Sequence, residues 1–283
     1  MRQAVSETGT TSLKRFQVPS PAGYEVTSRL FSAFVELIGG LHVSGRENIE
    51  NKGAIIVAAN HDSWLDPPSV EEGYKRETGG EHMWAMAKEE AFKYIVPMPE
   101  WVNSHIHPML GEYLGQLAAE HLRLCGTFPV IRDKLLIEQP DALGTVRTIA
   151  TNNGALLMHP QGTRGNHQRG EVSHYHFDDG TMQLALEFGF NIQPAGVDGT
   201  YQMYAPHVHF GEVMPIEQQE LNLASCSARD LVRIRQKIIR PLNIELGERI
   251  RAARNIAVAN REAFISSSAY RQIYSKLINK LVS

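Results

Sequence analysis

Ala58-Ala59-Asn60-His61-Asp62-Ser63-Trp64-Leu65-Asp66-Pro67-Pro68 is the stretch on which the reading of this chain turns. Just before it, Ala54-Ile55-Ile56-Val57 is a short continuous apolar run bounded by Gly53 and Asn60, the pattern of a buried strand. Asp66 followed by Pro67 reads as a helix start, with aspartate at the N-cap and proline at the first helical position. A histidine therefore stands at the carboxyl end of a strand, and an aspartate five residues on stands at a helix start. A loop that short can turn the two side chains together, the pairing a general base needs. Each residue also has a plainer reading: Asp66 as a cap worth about 1 kcal/mol, His61 as a structural histidine, and Asn60 as a loop-ordering residue.

Outward from this stretch, strands and helices alternate. Val26 to Ile38 has apolar residues at spacings of three and four and ends at Gly39-Gly40, an amphipathic helix. Leu41 to Gly45 reads as a short strand and turn, Pro67 to Arg76 as a helix, and Met83 to Ala87 as a strand. Pro97 and Pro99 interrupt a mixed stretch before a helical pattern at Gly111 to Leu124. Thr127 to Ile131 and Ala155 to Met158 read as strands, with a helix at Pro140 to Asn152 between them. Thr181 to Phe188 is a helix closed by Gly189, Ile192 to Val197 a strand, and the chain from Ser227 is mostly helical, with breaks at Pro241 and Gly247. The expected fold is α/β: a single mixed, largely parallel sheet flanked by helices on both faces, with a C-terminal helical appendage.

At 283 residues the chain has ample material for a core, and 42% hydrophobic with 21% charged residues is the composition of a globular protein. Cys125 and Cys226 have no metal-type spacing, which argues against a disulfide framework and for a reducing, cytoplasmic compartment. Residues 1–20 carry no apolar segment of the secretory kind. No run approaches the roughly 18 apolar residues of a membrane span; the longest attempt, Leu30 to Ile38, is interrupted by Ser32 and Glu36. The net charge of −3 is unevenly distributed. Arg229 to Lys280 holds 12 Lys/Arg against 4 Asp/Glu, a net of +8 that leaves −11 on the rest. A basic tail on an acidic body suggests an anionic partner, membrane headgroups first; the plainer alternative is a solvated helical face. Nothing suggests nucleic acid as a partner.

Three polar clusters follow apolar strands: Asn60 to Asp66, Arg132-Asp133, and Gln161-Gly162-Thr163-Arg164. In open α/β sheets ligands gather at the carboxyl ends of strands. If these strands are parallel neighbours, His61, Asp66, Arg132 and Arg164 share one crevice, a base with its orienting carboxylate and two guanidinium groups. Such a set suits deprotonation of a hydroxyl beside an anionic group, because Arg binds phosphate through paired donors. Arg132-Asp133 as a surface ion pair and Gly162 as a turn residue are the plainer readings.

These residues carry a family resemblance. Asn60-His61-x4-Asp66 resembles the first motif of the glycerolipid (1-acylglycerol-3-phosphate / glycerol-3-phosphate) acyltransferase family. Val43-Ser44-Gly45-x-Glu47-Asn48-Ile49 is similar to the family's lead-in to that strand, and Met86-Ala87-Lys88 with Phe92 and Lys93 to the segment after it. Gly126 to Arg132 resembles the second motif, Pro160-Gln161-Gly162-Thr163-Arg164 the third, and Asn191-Ile192-Gln193-Pro194 the fourth. The set covers about residues 41–200, and its order is far more specific than any one member. Three departures stand out: Gln161 replaces the usual glutamate, Phe177 is followed by Asp178-Asp179 rather than lysines, and the stretch between the first two motifs is longer, near residues 100–117. The first two bear on a glycerol-phosphate acceptor rather than on acyl transfer.

What the resemblance implies is direct transfer of a fatty acyl group from acyl-CoA or acyl-carrier protein to a hydroxyl of a lipid or glycerol-phosphate-like acceptor. His61 would be the base and Asp66 its orienting partner, while Asn60, Arg132, Gln161, Gly162, Thr163 and Arg164 would bind substrate. The acyl thioester is a co-substrate; no cofactor or metal is expected. The domain reading follows: a loosely packed or disordered segment over 1–20, an acyltransferase-like domain over 21–226, and a basic helical region over 227–283 packed on it. Peripheral contact with a membrane is a further expectation. The competing reading is a non-catalytic lipid- or acyl-carrier-binding protein that keeps the fold. A metal-dependent hydrolase ranks third, prompted by the pairs His105/His107, His174/His176 and His207/His209, for which no complete ligand set is evident.

Overall fold

A computed structural model describes residues 21–50, 53–63, 65–88, 126–131, 139–161, 178–202, 204–219, 227–268, 270 and 272. The apolar run before Asn60 forms strand β2 (Ile55–Ala59), with every residue buried. Its alternating side chains feed two cores. Ile55, Val57 and Ala59 face Val35 of helix α1 (Pro21–Leu37) and Val70 and Tyr74 of α2 (Asp66–Thr78). Ala54, Ile56 and Ala58 belong with Val146 and Ile149 of α3 (Pro140–Thr151), Leu186 of α4 (Gly180–Phe188), and Leu246 and Ile250 of α6 (Arg240–Ser266). A strand covered on both faces must be apolar at every position, which is why β2 shows no alternation.

The seven described strands form one sheet in the order β1-β7-β6-β2-β5-β3-β4, with β1 at His42–Ser44, β3 at Met83–Lys88, β4 at Thr127–Val130, β5 at Ala155–Met158, β6 at Asn191–Asp198 and β7 at His207–Phe210. Strands β6, β2, β5, β3 and β4 are parallel. β7 is antiparallel to β6 and carries β1 alongside it. Helices cover both faces, so the expected mixed, largely parallel α/β sheet is what the chain forms. Among the described strands β4 is the last on its side of the sheet, where Pro129 removes no ladder bond from a strand between two described neighbours.

Two expectations change. β7 is absent from the sequence reading, because His207-Val208-His209-Phe210 is too short and polar to register as a strand, yet all four residues are buried. The breaks expected at Pro241 and Gly247 also do not occur. The chain is helical through α5 (Ala228–Ile234), a π-helical turn (Arg235–Ile239) and α6. Pro241 sits in the first turn of α6, where its missing N–H is tolerated. Gly247 is buried inside the helix. The helical pattern expected at 111–124 and the segment 1–20 lie outside the described residues.

α6 packs mainly against β6 and β7. On β6, a Cβ at Gly196 would lie 2.1 Å from the Arg254 backbone nitrogen and 2.2 Å from the Ala253 carbonyl carbon. Glycine in a strand interior is otherwise unfavourable. Here it admits a helix backbone directly onto the strand.

Candidate active site

Because β2, β5 and β6 are parallel neighbours, the loops after them share one edge. The β2 loop is tied down first. Asn60 is fully buried. Its Nδ2 donates to the Val197 carbonyl at 3.0 Å, and its Oδ1 accepts from the Val197 N–H at 2.7 Å. Nδ2 also donates to Asp62 Oδ2 at 3.0 Å. The Asn60 amide thus fastens the loop to β6.

Asp66 is also fully buried. It occupies the first position of α2, with Leu65 at the N-cap, one residue from the expected capping arrangement. Its Oδ2 accepts from the backbone N–H groups of Asp62 at 2.5 Å and Ser63 at 2.6 Å. Its Oδ1 accepts from the Thr200 hydroxyl, on the turn after β6. These bonds fix the carboxylate before any substrate arrives. His61 stands opposite, 21% exposed at its side chain, with Nδ1 3.4 Å from Asp66 Oδ2. That separation exceeds a well-formed N–H···O bond, and such contacts are often long without substrate. An imidazole facing a carboxylate through Nδ1 carries its proton there, leaving Nε2 as the basic nitrogen.

The third motif meets this pair from β5. Gln161 Oε1 accepts from the His61 backbone N–H at 2.7 Å. The glutamine that stands in place of the usual glutamate is thus bonded to the backbone of the residue proposed as base. His159, which the sequence reading passed over, stacks on His61 with ring centroids 4.4 Å apart and planes inclined at 25°. Its Nδ1 lies 3.2 Å from the Ala59 carbonyl and 3.1 Å from that of Asn60. Carbonyls only accept, so Nδ1 is protonated and Nε2 holds the lone pair; among the described residues Nε2 is buried without a hydrogen-bond partner. Burial, reinforced by the neighbouring His61, pushes the His159 ring down to about 4, with Asp66 and the two carbonyls opposing. His159 is thus an uncharged ring against His61 at neutral pH.

Thr200 gave no signal in the sequence beyond following the fourth motif. His159 adjoins Pro160 and was legible only as a histidine one residue before a motif. Arg132, Gly162, Thr163 and Arg164 lie outside the described residues. β4, which leads to Arg132, is three strands from β2, roughly 14 Å at the usual strand spacing. Asp179, one of the two departures after Phe177, binds Arg235 and accepts from Asn243 Nδ2 at 3.1 Å. Of the His-x-His pairs, His207 and His209 are described, with Nδ1 atoms at the Ala205 carbonyl and the Ser44 hydroxyl respectively. The other two lie outside the described residues. Among the described residues no group of three or more His, Cys, Asp or Glu is arranged to hold a metal ion.

A carboxylate-backed histidine on the carboxyl edge of a mainly parallel sheet is an arrangement that can activate a hydroxyl or water. The acyltransferase family profile matches residues 40–198, more than half of the chain, and this chain belongs to that family and is an acyltransferase. Among solved structures it is similar to the 1-acyl-sn-glycerophosphate acyltransferase of Thermotoga maritima, at 18% identity and a TM-score of 0.44, over 82% of this chain and 85% of that one. No curated protein matches the chain.

Proposed function

We propose that this acyltransferase moves a fatty acyl group from an acyl thioester, acyl-CoA or acyl-carrier protein, to a hydroxyl of a lipid or glycerol-phosphate-like acceptor. The observation that carries the proposal is His61 Nδ1 facing the buried, prefixed Asp66 carboxylate across 3.4 Å. His61 Nε2 takes the acceptor's proton as its oxygen attacks the thioester carbonyl. The tetrahedral intermediate collapses with loss of the thiolate, which takes the proton back from the imidazolium. Asp66 keeps the tautomer correct and stabilises the imidazolium while it exists. Arg132, Gly162, Thr163 and Arg164 enter from the family resemblance as groups for the anionic parts of donor or acceptor.

Replacing His61 by alanine tests the mechanism: thioester-dependent transfer, followed by thiol release and by mass spectrometry of products from a panel of acceptors, should fall about 10²–10⁴-fold. Near-normal transfer by that variant would sink the mechanism. Saturable acyl-CoA binding without thiol release by the unaltered chain would favour a binding protein instead.

Peripheral contact with a membrane at the cytoplasmic side is part of the same proposal. No described helix is long and apolar enough to cross a membrane, while Val26 and Leu30 on α1 are 56% and 65% exposed. Four residues apart, they share one helix face. Co-sedimentation with lipid vesicles that is unchanged when both are replaced by serine would remove α1 as the contact.

A further inference from the structure

The family segment ends at residue 198, but the polar ties of the candidate site do not. Arg254 of α6 reaches back over the sheet edge, and its Nη2 lies 3.0 Å from Asp62 Oδ2, with both side chains mostly buried. Asp62 follows His61 directly. Its carboxylate also accepts from Asn60, and its backbone N–H donates to Asp66. Asn60 in turn exchanges two bonds with Val197, the neighbour of Gly196. Gly196 is where the α6 backbone touches the sheet, at the turn holding Arg254. The contacts close a ring: strand β6 holds Asn60, Asn60 and Arg254 hold Asp62, and the turn carrying Arg254 rests on β6.

Two more ties repeat the pattern. Arg261 Nη1 lies 3.3 Å from Asp198 Oδ2, and its Nε donates to the Tyr204 carbonyl at 3.2 Å. Arg235 and Asn243 hold Asp179 at the start of α4. Each carboxylate sits at the sheet edge where His61 lies, and each cation comes from the C-terminal helices. The charge asymmetry of the sequence thus finds an answer inside the molecule: part of the basic tail neutralises the acidic edge of its own sheet.

From this geometry we infer that the C-terminal helix is an integral part of the acyl-transfer site, and that Arg254 is a positioning residue that sets the loop bearing His61 through Asp62. The inference rests on the acyl-transfer reading of His61. Loop misplacement by a fraction of an ångström matters because general-base catalysis needs its reacting atoms within hydrogen-bond reach. Arg261 forms a tie of the same kind that does not touch the His61 loop, so it is a built-in control.

The test compares Arg254→Met, Arg254→Lys and Arg261→Met in the full chain, reading kcat, KM for acyl-CoA and melting temperature. Arg254→Met should lower kcat about 10- to 100-fold with KM little changed. Arg254→Lys, which keeps the charge at Asp62, should fold normally and recover most of kcat. Arg261→Met should lower the melting temperature but leave kcat close to that of the unaltered chain. Adding Asp62→Asn to Arg254→Met should cost little more than the worse single change, since both cut the same tie. Unchanged kcat in Arg254→Met, equal loss in Arg261→Met, or no recovery with lysine would overturn the inference. His61→Ala separates the two readings: if it stays active the acyl-transfer mechanism fails, whereas if it is inactive and Arg254→Met is not, only the positioning role fails.

Discussion

Two histidine pairs stand on the same edge of the sheet and are built almost alike. His61 and His159 stack at 4.4 Å, His42 and His207 at 4.5 Å. One ring of each pair donates through Nδ1 to backbone carbonyl, His159 to Ala59 and Asn60, His207 to Ala205. Burial pushes both anchored rings down to about 4. The second ring makes the difference. His61 is partly exposed and faces Asp66, whereas His42 turns Nε2 to the Gly39 carbonyl at 3.2 Å and is covered by Phe264, ring centroid 3.9 Å away. Stacked imidazoles are therefore a way of packing. A prefixed carboxylate at Nδ1 beside a partly exposed ring is what the proposed mechanism asks of the first pair, and what the second pair lacks.

The largest difference between the pairs should follow from removing the carboxylate. Asp66→Asn should lower kcat by about 10²–10⁴, since the amide cannot hold the imidazole in its productive tautomer or support its charge. His42→Ala should reduce thermal stability and leave kcat close to normal. Equal losses of kcat from the two would mean that the pairs do not differ as argued.

A smaller effect is expected from His159→Phe, which keeps a ring on His61 but removes the donor from two buried carbonyls. Urea unfolding should show a loss of about 1–3 kcal/mol, with kcat reduced by about tenfold or less. His207→Phe should show a comparable stability loss without the kcat change.

The smallest effect is on the pH dependence of stability, and here the two pairs should agree. His159 and His207 are neutral when folded, and each titrates near 4 rather than at an ordinary histidine value of about 6.5. Between those values the unfolded chain binds protons that the folded chain does not. Stability is therefore fully present above pH 6.5 and is lost as the pH falls toward 4. For His207, burial and the neighbouring His42 and Arg261 hold the ring down, while the Ala205 carbonyl and Asp198 pull the other way. Melting temperatures across this window should fall less steeply in either phenylalanine variant than in the unaltered chain. Parallel slopes would refute a folded-state origin in these rings.

Much of the sheet was legible because a strand covered on both faces must be written in consecutive apolar residues, as at Ala54 to Val57 and Ala155 to Met158. The His61/Asp66 encounter was legible because it depends on a loop of five residues. What escaped depends on distant neighbours. His207 to Phe210 becomes a strand only because β6 offers an antiparallel edge and β1 a parallel one. Thr200 and Arg254 lie 134 and 192 positions from the residues they bind, and no local pattern marks either. Gln161 and Asp179 were visible as departures from a family pattern, but their partners, the His61 backbone and the Arg235 side chain, belong to elements whose proximity only the fold reveals.

The close seat of α6 on Gly196 has a consequence for where this protein can be cut. The stretch recognisable by family ends at residue 198, yet a fragment ending there would strip β7 from β6 and Leu246 and Ile250 from the core. It would leave β6 as an open edge with a bare glycine where a helix should rest, the kind of surface that pairs with other chains. The unit of kinship and the unit of folding are different lengths of the same polypeptide.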